Sequence, residues 1–356
     1  MDQNMVFMQR CLQLARKGEG FTKPNPMVGA IIVYNNKIIG EGYHRHYGES
    51  HAEVNAINSV KDKSLLSKST LYVSLEPCAH HGKTPPCAEL IISNKIPRVV
   101  LAVRDPNPKV SGKSVEMMIS AGIEVIECVM EEESRSLNKF FFVNQELSRP
   151  YIILKWAQSK DGFIDLYRNP ADNKQPVIIS NKLTHSIVHK FRTQVQAILV
   201  GTNTALLDNP QLTSRKWYGE NPTRIVIDRE NRLPLDHKIF DGLVPTIVFT
   251  ETAPMFSESI PKLKYLEIDF TKDTNKQIIN HLIKNKIYSL LVEGGSNLLS
   301  TFIKKNLWDE AYIEVSDKTL KSGIKAPEIQ GKEIEVKKYL NSSQFILKSK
   351  ITRNIL

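Results

Sequence analysis

The chain has 356 residues, with 48 Lys+Arg against 38 Asp+Glu and a formal charge of +10. At roughly 150 residues per domain, that length predicts two domains. A hydrophobic share of 41% with 24% charged residues excludes wholesale disorder, and 17 Gly with 18 Pro exclude a collagen or low-complexity chain. No run of about 18 uncharged apolar residues is present, so no membrane span is predicted. The segment MDQNMVFMQRCLQLARKG reads as an amphipathic helix with Met5, Met8, Leu12 and Ala15 near one face, rather than as a leader, which points to the cytoplasm. The positive charge favours an anionic partner, but the basic residues are dispersed and form no block.

In chain order, a helix over 4–17 leads to a hairpin, Val28–Tyr34 and Lys37–Tyr43, turning at Asn35-Asn36. A helix from His51 to Val60, a strand Thr70–Leu75, a helix Cys87–Asn94 and a strand Arg98–Val103 follow. A helix around Ser114–Ser120, a strand Glu124–Val129 and a helix Glu132–Asn144 complete the first half. The Glu146–Pro150 stretch breaks this helix and marks a boundary, giving domains 1–147 and 148–356. The second half alternates again: strand Tyr151–Trp156, helix Lys182–Arg192, then strands Ala197–Gly201, Arg224–Asp228 and Thr246–Thr250. Helix Asn275–Lys284, strand Tyr288–Glu293, helix Asn297–Lys305 and strand Glu310–Val315 come next, and Gln344–Ile351 closes an edge. Both halves therefore read as α/β layers, with no internal repeat relating them.

Four cysteines are too few for a disulfide scaffold in a chain of this size. Cys11 and Cys128 read as buried thiols. Cys78 and Cys87 differ, since each follows a proline in a loop rich in His and Gly, downstream of His51-Ala52-Glu53. One imidazole and two thiolates suit tetrahedral Zn²⁺, and three protein ligands leave a fourth position for water. Glu53, two residues after His51 at a helix start, can face that water without ligating the metal and can carry its proton. The alternatives are a zinc-stapled loop, which would call for a fourth Cys or His, or two unrelated thiols. His-x-Glu followed by Pro-Cys-x-x-Cys is the zinc-deaminase signature, and eight residues separate the two cysteines here instead of two.

The loop Pro77-Cys78-Ala79-His80-His81-Gly82-Lys83-Thr84-Pro85-Pro86-Cys87 resembles that of the deaminase domain of the bifunctional riboflavin-biosynthesis deaminase/reductases. So do Pro24-Asn25-Pro26-Met27-Val28-Gly29 and Asp105-Pro106-Asn107-Pro108. The resemblance, over nearly all of 1–145, implies a cytidine-deaminase-like α/β/α domain. It implies hydrolytic loss of the 2-amino group of 2,5-diamino-6-ribosylamino-4(3H)-pyrimidinone 5′-phosphate. It places Asn25, His44, His80, Lys83, Asp105 and Asn107 around the substrate.

In the second half, three stretches matter: Leu154–Gly162, Ile198–Arg215 and Leu290–Asn297. Gly294-Gly295 between strand and helix permits close approach of a phosphate to free N–H groups, but it does not form the G-x-G-x-x-G fingerprint. Together the stretches resemble the reductase domain of the same family, which has a dihydrofolate-reductase-like α/β fold. That implies NADPH-dependent reduction of the ribosyl to a ribityl chain, with hydride delivered to C1′. It places Arg192, Leu212, Arg215 and Glu293 at the substrate and Gln158, Thr204, Asp208, Gly295, Ser296 and Asn297 at the cofactor. Asp208 and Lys155 are further assigned to catalysis. Ile178, where many members carry Trp, and Lys160, where Leu is usual, depart from the family pattern.

The expected function is therefore two consecutive steps on one phosphorylated pyrimidine, with one Zn²⁺ per chain and NADPH. Nucleic acid and membrane are not expected partners, and the reading leaves room for a homo-oligomer. A nucleic-acid base deaminase with an RNA-binding second half is the competing enzyme reading, but no aromatic stacking platform or RNP-like motif supports it. A non-enzymatic zinc scaffold would leave Glu53 dispensable.

Overall fold

A computed structural model describes residues 2–79, 85–107, 110–169, 175–255 and 260–352. The chain divides into two compact units, residues 1–148 and 149–355.

In the first unit, helix α1 (Gln3–Ala15) starts at Asp2, whose carboxylate accepts from the Asn4 amide at 3.0 Å. It precedes strands β1 (Gly29–Tyr34) and β2 (Lys37–Tyr43). The turn residues Asn35 and Asn36 have φ of 45° and 65°, the left-handed pair that a tight hairpin of this hand requires. Then come α2 (Ala52–Ser59), β3 (Thr70–Val73), α3 (Cys87–Ser93), β4 (Arg98–Leu101), α4 (Lys113–Ser120), β5 (Glu124–Ile126), α5 (Glu131–Leu137) and α6 (Lys139–Leu147). The sheet order is β2-β1-β3-β4-β5, with β1 antiparallel to both neighbours and β3, β4 and β5 parallel. Alternation along β1 sends Ala30 and Ile32 into a core with Ala56, Ile57, Ile91 and Met118, and Ile31 and Val33 into a second core with Phe7, Met8 and Cys11. The sheet is thus sandwiched between α2–α4 and α1.

Three expectations are corrected here. Met5 is 41% exposed, and Phe7, Cys11 and Leu14 join Met8, Leu12 and Ala15 on the buried face of α1. Cys128 is exposed, because the strand stops at Ile126 and Cys128 and Met130 take left-handed φ of 62° and 63°. The helix expected over 132–144 is broken at Asn138, whose carboxamide accepts from the Met27 N–H at 2.7 Å and donates to the Met27 carbonyl at 2.9 Å.

In the second unit the elements are β6 (Tyr151–Ser159), β7 (Phe163–Asp165), α7 (Lys182–Gln194), β8 (Ala197–Gly201), α8 (Thr202–Asp208), β9 (Thr223–Ile227), β10 (Thr246–Thr250) and β11 (Leu263–Glu267). After them come α9 (Thr274–Lys284), β12 (Ser289–Gly294), α10 (Ser296–Lys304), β13 (Glu310–Ser316), β14 (Ile324–Lys325), β15 (Lys332–Tyr339) and β16 (Ser342–Lys348). The nine-stranded sheet runs β11-β10-β9-β8-β12-β6-β13-β16-β15, parallel from β11 to β13 and antiparallel beyond. Ile278 and Leu282 of α9 and Leu298, Leu299 and Phe302 of α10 pack on Leu154, Leu199, Leu290 and Val292. The chain leaves β8 toward β9 and leaves β12 toward β13, so a crevice opens where these connections diverge, at the carboxyl ends of the strands.

The C-terminal expectation is also corrected. Strand β16 pairs on both sides, and the edge belongs to β15, whose Lys and Glu residues suit a solvent-facing edge.

Candidate active sites of the two units

The first site assembles at the carboxyl ends of β3 and β4. His51 immediately precedes α2, Cys87 is the first residue of α3, and Cys78 lies in the loop after β3. The His51 Nδ1 is 3.3 Å from Cys87 Sγ and 3.6 Å from Cys78 Sγ, and the three ligand atoms lie within 4.8 Å of one another. A tetrahedral ion with Zn–S near ~2.3 Å and Zn–N near ~2.05 Å would separate sulfur from nitrogen by roughly 3.6 Å. The donor set therefore fits zinc in both chemistry and span. The Cys78 thiol is drawn toward thiolate by a hydrogen bond from Cys87, with His51 and the Cys87 backbone N–H (3.3 Å) adding to the effect, while Cys87 is pushed up by the same sharing.

Glu53 is the second residue of α2 and 3% exposed. Burial pushes its carboxyl above the ordinary range, against the pull of His51, and the Cys87 thiol lies against it. His44, also 3% exposed, meets the His51 ring edge-on with centroids 5.7 Å apart. Its Nδ1 faces the Ser50 carbonyl at 3.2 Å and its Nε2 faces the Asn25 amide at 3.3 Å. A carbonyl can only accept and the Asn25 NH₂ can only donate, so the ring is the neutral Nδ1–H tautomer. Burial also depresses its basicity. His46, by contrast, is an exposed residue beside Glu49.

Asp105 and Asn107 sit on a loop whose geometry is set by Glu76, a residue that sequence reasoning missed. This buried carboxylate accepts from the Asp105 N–H (3.1 Å), the Gly112 N–H (3.1 Å) and the Ser114 hydroxyl (2.8 Å). Asp105 Oδ1 in turn accepts from the Asn107 N–H at 2.8 Å. A carboxylate directly before Pro77 at the end of an apolar strand was the available signal. Asn138, also missed, fixes the Pro26-Met27 stretch beside Asn25 through its clamp on Met27. His80 and Lys83 lie outside the described residues.

The second site is a cavity of about 600 Å³ in the crevice of the nine-stranded sheet, within the usual range for small-ligand sites. Lys155 of β6, Glu293 of β12, Thr204 and Asp208 of α8, and Gly295, Ser296 and Asn297 at the start of α10 line it. Glycine is required at both positions of the pair. A Cβ at Gly294 would meet the Thr204 side chain at 2.8 Å, and Gly295 has φ +75°. The result is a cradle of bare backbone at a helix N-terminus, suited to a dinucleotide phosphate.

Burial lowers the Lys155 ammonium, with Arg192 adding to the effect. Burial would raise Glu293, but Arg192, with Nε at 3.1 Å and Nη2 at 2.6 Å, and Lys155 hold it below the ordinary carboxylate range. Arg192 also donates to the Thr213 carbonyl at 2.9 Å, so it reaches the cavity through Glu293 rather than lining it. Gln158, Leu212 and Arg215 are likewise not in the wall. Gln158 accepts from the Trp156 indole N–H at 2.8 Å, Leu212 is 2% exposed with φ 51°, and Arg215 lies beside Arg192. Ile178 is 74% exposed and lines the cavity, while Lys160 sits in the Ser159–Gly162 turn.

Next to this wall is the fully buried His189, whose ring nitrogens have no hydrogen-bond partner among the described residues. Burial, then Arg192, Arg215 and His185, depress it to about 4, against the nearby Thr213 carbonyl. Because the folded value lies below the ordinary 6.5, the unfolded chain binds the proton first as pH falls. We expect the second unit to lose stability between about pH 6.5 and 4 for this reason, and His189→Gln to flatten that dependence in urea unfolding followed by tryptophan fluorescence. An unchanged pH slope in the variant would refute it.

A His–Cys–Cys centre with a buried glutamate, on a sheet packed by helices on both faces, defines a zinc-dependent deaminase. A glycine cradle at the crevice of a parallel sheet defines a dinucleotide-dependent reductase joined to it. Residues 1–103 match the family of the cytidine and deoxycytidylate deaminase zinc-binding region, and residues 150–337 match the RibD C-terminal domain. The riboflavin biosynthesis protein RibD of Aquifex aeolicus is 40% identical over 332 residues, covering 92% of this chain and 91% of that one. RibD of Bacillus amyloliquefaciens is 39% identical, covering 86% and 82%. A deaminase/5-amino-6-(5-phosphoribosylamino)uracil reductase of Thermotoga maritima superposes with a TM-score of 0.86 at 37% identity, covering 98% of this chain and 99% of that one. RibD of Acinetobacter baumannii superposes with a TM-score of 0.87 at 32% identity, covering 97% and 98%. The chain belongs to the RibD family of bifunctional riboflavin biosynthesis enzymes, with a zinc-dependent deaminase and an NADPH-dependent reductase.

Proposed function

We propose that residues 1–147 deaminate 2,5-diamino-6-ribosylamino-4(3H)-pyrimidinone 5′-phosphate and residues 148–356 then reduce its ribosyl chain. The observation that carries this is the convergence of His51, Cys78 and Cys87 beside the buried Glu53. His51 Nδ1 and the two thiolates would hold the zinc, which would supply the Lewis acidity that brings the pKa of a water toward ~7. Glu53 is placed to accept a proton from the attacking water and to return it to the departing amine. Asn25 commits an amide N–H to His44 and offers its carbonyl to the pyrimidine edge. His44 stays neutral beside the metal ligands, and Asp105 and Asn107 are presented by the loop that Glu76 organises.

In the reductase, Gly295, Ser296, Asn297, Thr204 and Asp208 line the cavity and would hold NADPH, which would supply the hydride. Lys155 and Glu293 face the reacting end of the substrate, and Arg192 and Arg215, behind the wall, add the positive charge that favours its phosphate. Asp208 accepts hydrogen bonds when ionised and relays a proton to an imine when protonated. Burial favours the second state and Arg168 the first. Gln158 and Leu212 act from outside the wall. A small phosphorylated pyrimidine in the cytoplasm, rather than nucleic acid, is the partner of both sites. No helix among the described residues is long and apolar enough to cross a membrane.

The test is product mass after incubation with the diaminopyrimidinone phosphate, without and with NADPH. Exchange of amino for oxo is expected first, and gain of two hydrogens only when NADPH is present. Cys78→Ser should lose both stoichiometric zinc and the first mass change, yet still reduce substrate that has already been deaminated. Full zinc content in a Cys78/Cys87 double variant would overturn the ligand assignment.

A further inference from the structure

The strand β7 is three residues long and, among the described residues, pairs only with the two-residue β14, so its ladder alone holds β7 weakly. Arg168 supplies the missing anchor. Its side chain is 5% exposed. Its Nε donates to Asp165 Oδ2 at 2.7 Å, its Nη2 pairs with both Asp165 and Asp208, and its Nη1 donates to the Leu207 carbonyl at 3.0 Å. One guanidinium thus joins the β7 segment to the last turn of α8. Asp165, Arg168 and Asp208 all face the reductase cavity.

Without the cation, two carboxylates would face each other in a partly desolvated wall. Desolvation and Asp165 both push the Asp208 carboxyl up, and Arg168 is the group that opposes them. No other residue of α8 ionises. His237 touches this helix at the Leu206 carbonyl (3.3 Å), and Lys155 and Glu293 line the same cavity. Arg168 therefore governs both the charge and the direction of Asp208.

We propose that Arg168 is a positioning residue of the reductase, holding Asp208 as an oriented, ionised acceptor toward the dinucleotide cofactor. This rests on the reading of Asp208 as a cofactor contact given above. Neither Arg168 nor Asp165 stood out in the sequence, because each lies in a segment without hydrophobic period.

The experiment uses the full-length chain with Arg168→Met, Arg168→Lys, Asp208→Asn, Asp165→Asn and the Arg168→Met/Asp208→Asn double variant. The NADPH Kd is read from quenching of tryptophan fluorescence, reduction from kcat and KM across the acid range, and the urea midpoint followed by the tryptophans, all of which lie in the second unit, reports that this unit is folded. Arg168→Met should raise the NADPH Kd roughly ten- to hundredfold, the scale set by loss of a charge-assisted contact. It should also move the acid limb of reduction to higher pH. Arg168→Lys should recover part of both, and the double variant should be no worse than the poorer single variant. Asp165→Asn removes the competing carboxylate and should leave the acid limb where it was or move it to lower pH. If Asp208→Asn weakens NADPH binding but Arg168→Met adds to it independently, Arg168 does not act through Asp208. If Asp165→Asn raises the acid limb, the proposal is equally overturned. If Asp208→Asn changes neither binding nor reduction, the reading of Asp208 fails and takes the proposal with it.

Discussion

Glu53→Gln is expected to keep its zinc and to lose deamination by about 10² to 10⁴-fold, the range contributed by a positioned general acid–base. The substitution preserves side-chain shape in a site that is 3% exposed, and it leaves His51, Cys78 and Cys87 untouched. What it removes is the ability to accept and return a proton. The amide can hydrogen-bond to water but cannot become its conjugate acid. The measurement is paired: zinc content by elemental analysis and steady-state deamination on the same preparation, with NADPH-dependent reduction of pre-deaminated substrate as a control on the second unit. Near-normal deamination in a zinc-replete Glu53→Gln protein would remove Glu53 from the mechanism.

The zinc centre was legible in the sequence because its chemistry is local. His51 and Glu53 share the first turn of one helix, and each cysteine follows a proline that fixes the backbone just before it. What holds the surrounding pocket was not legible. Glu76 reaches Asp105, Gly112 and Ser114 across 29 to 38 residues of sequence, and Asn138 reaches Met27 across 111. No period or spacing encodes such contacts. The same holds for the break between α5 and α6, where helical propensity continues through Asn138 but its carboxamide is committed elsewhere.

The reductase wall is assembled from β6, α8 and β12, which are neighbours only once the sheet order is known. The sequence showed the Gly294-Gly295 turn, while the pairing of Arg192 with Glu293 emerged only from their position on facing elements. Residues 216–288 contain none of the three stretches that carry the resemblance to the reductases, yet they build β9, β10, β11 and α9 around Arg224. This arginine is fully buried and bound to Thr246, Asp241 and the carbonyls of Lys238 and Val244. A charge at the start of an apolar strand looks like a solvated end until its partners are seen.

The second unit should depend on a buried ion pair at its first residue. Arg149 Nη1 and Nη2 donate to the two carboxylate oxygens of Asp309 at 2.6 and 2.8 Å. Asp309 has no exposed surface, accepts from the Ile152 N–H at 2.7 Å, and also takes the Thr352 hydroxyl. One side chain therefore ties the start of β6, the approach to β13 and the C-terminal segment together. Asp309→Ala would leave the Arg149 cation and the Ile152 N–H without their partner, a loss that typically costs about 3–5 kcal/mol. Against a total stability of roughly 5–15 kcal/mol this is a large fraction. At a urea slope of about 2–3 kcal/mol/M it lowers the midpoint by about 1–2.5 M. All three tryptophans, Trp156, Trp217 and Trp308, belong to this unit, so their fluorescence follows its unfolding alone. Deamination should persist at urea concentrations where reduction has gone, because the zinc site lies wholly in the other unit. Replacing both partners, Arg149→Met with Asp309→Leu, should recover most of the loss, since no buried charge is then left unpaired. A midpoint unchanged in Asp309→Ala would show that the pair does not anchor the fold, and a double variant as weak as the single would show that the cost lies in lost packing rather than in the orphaned cation.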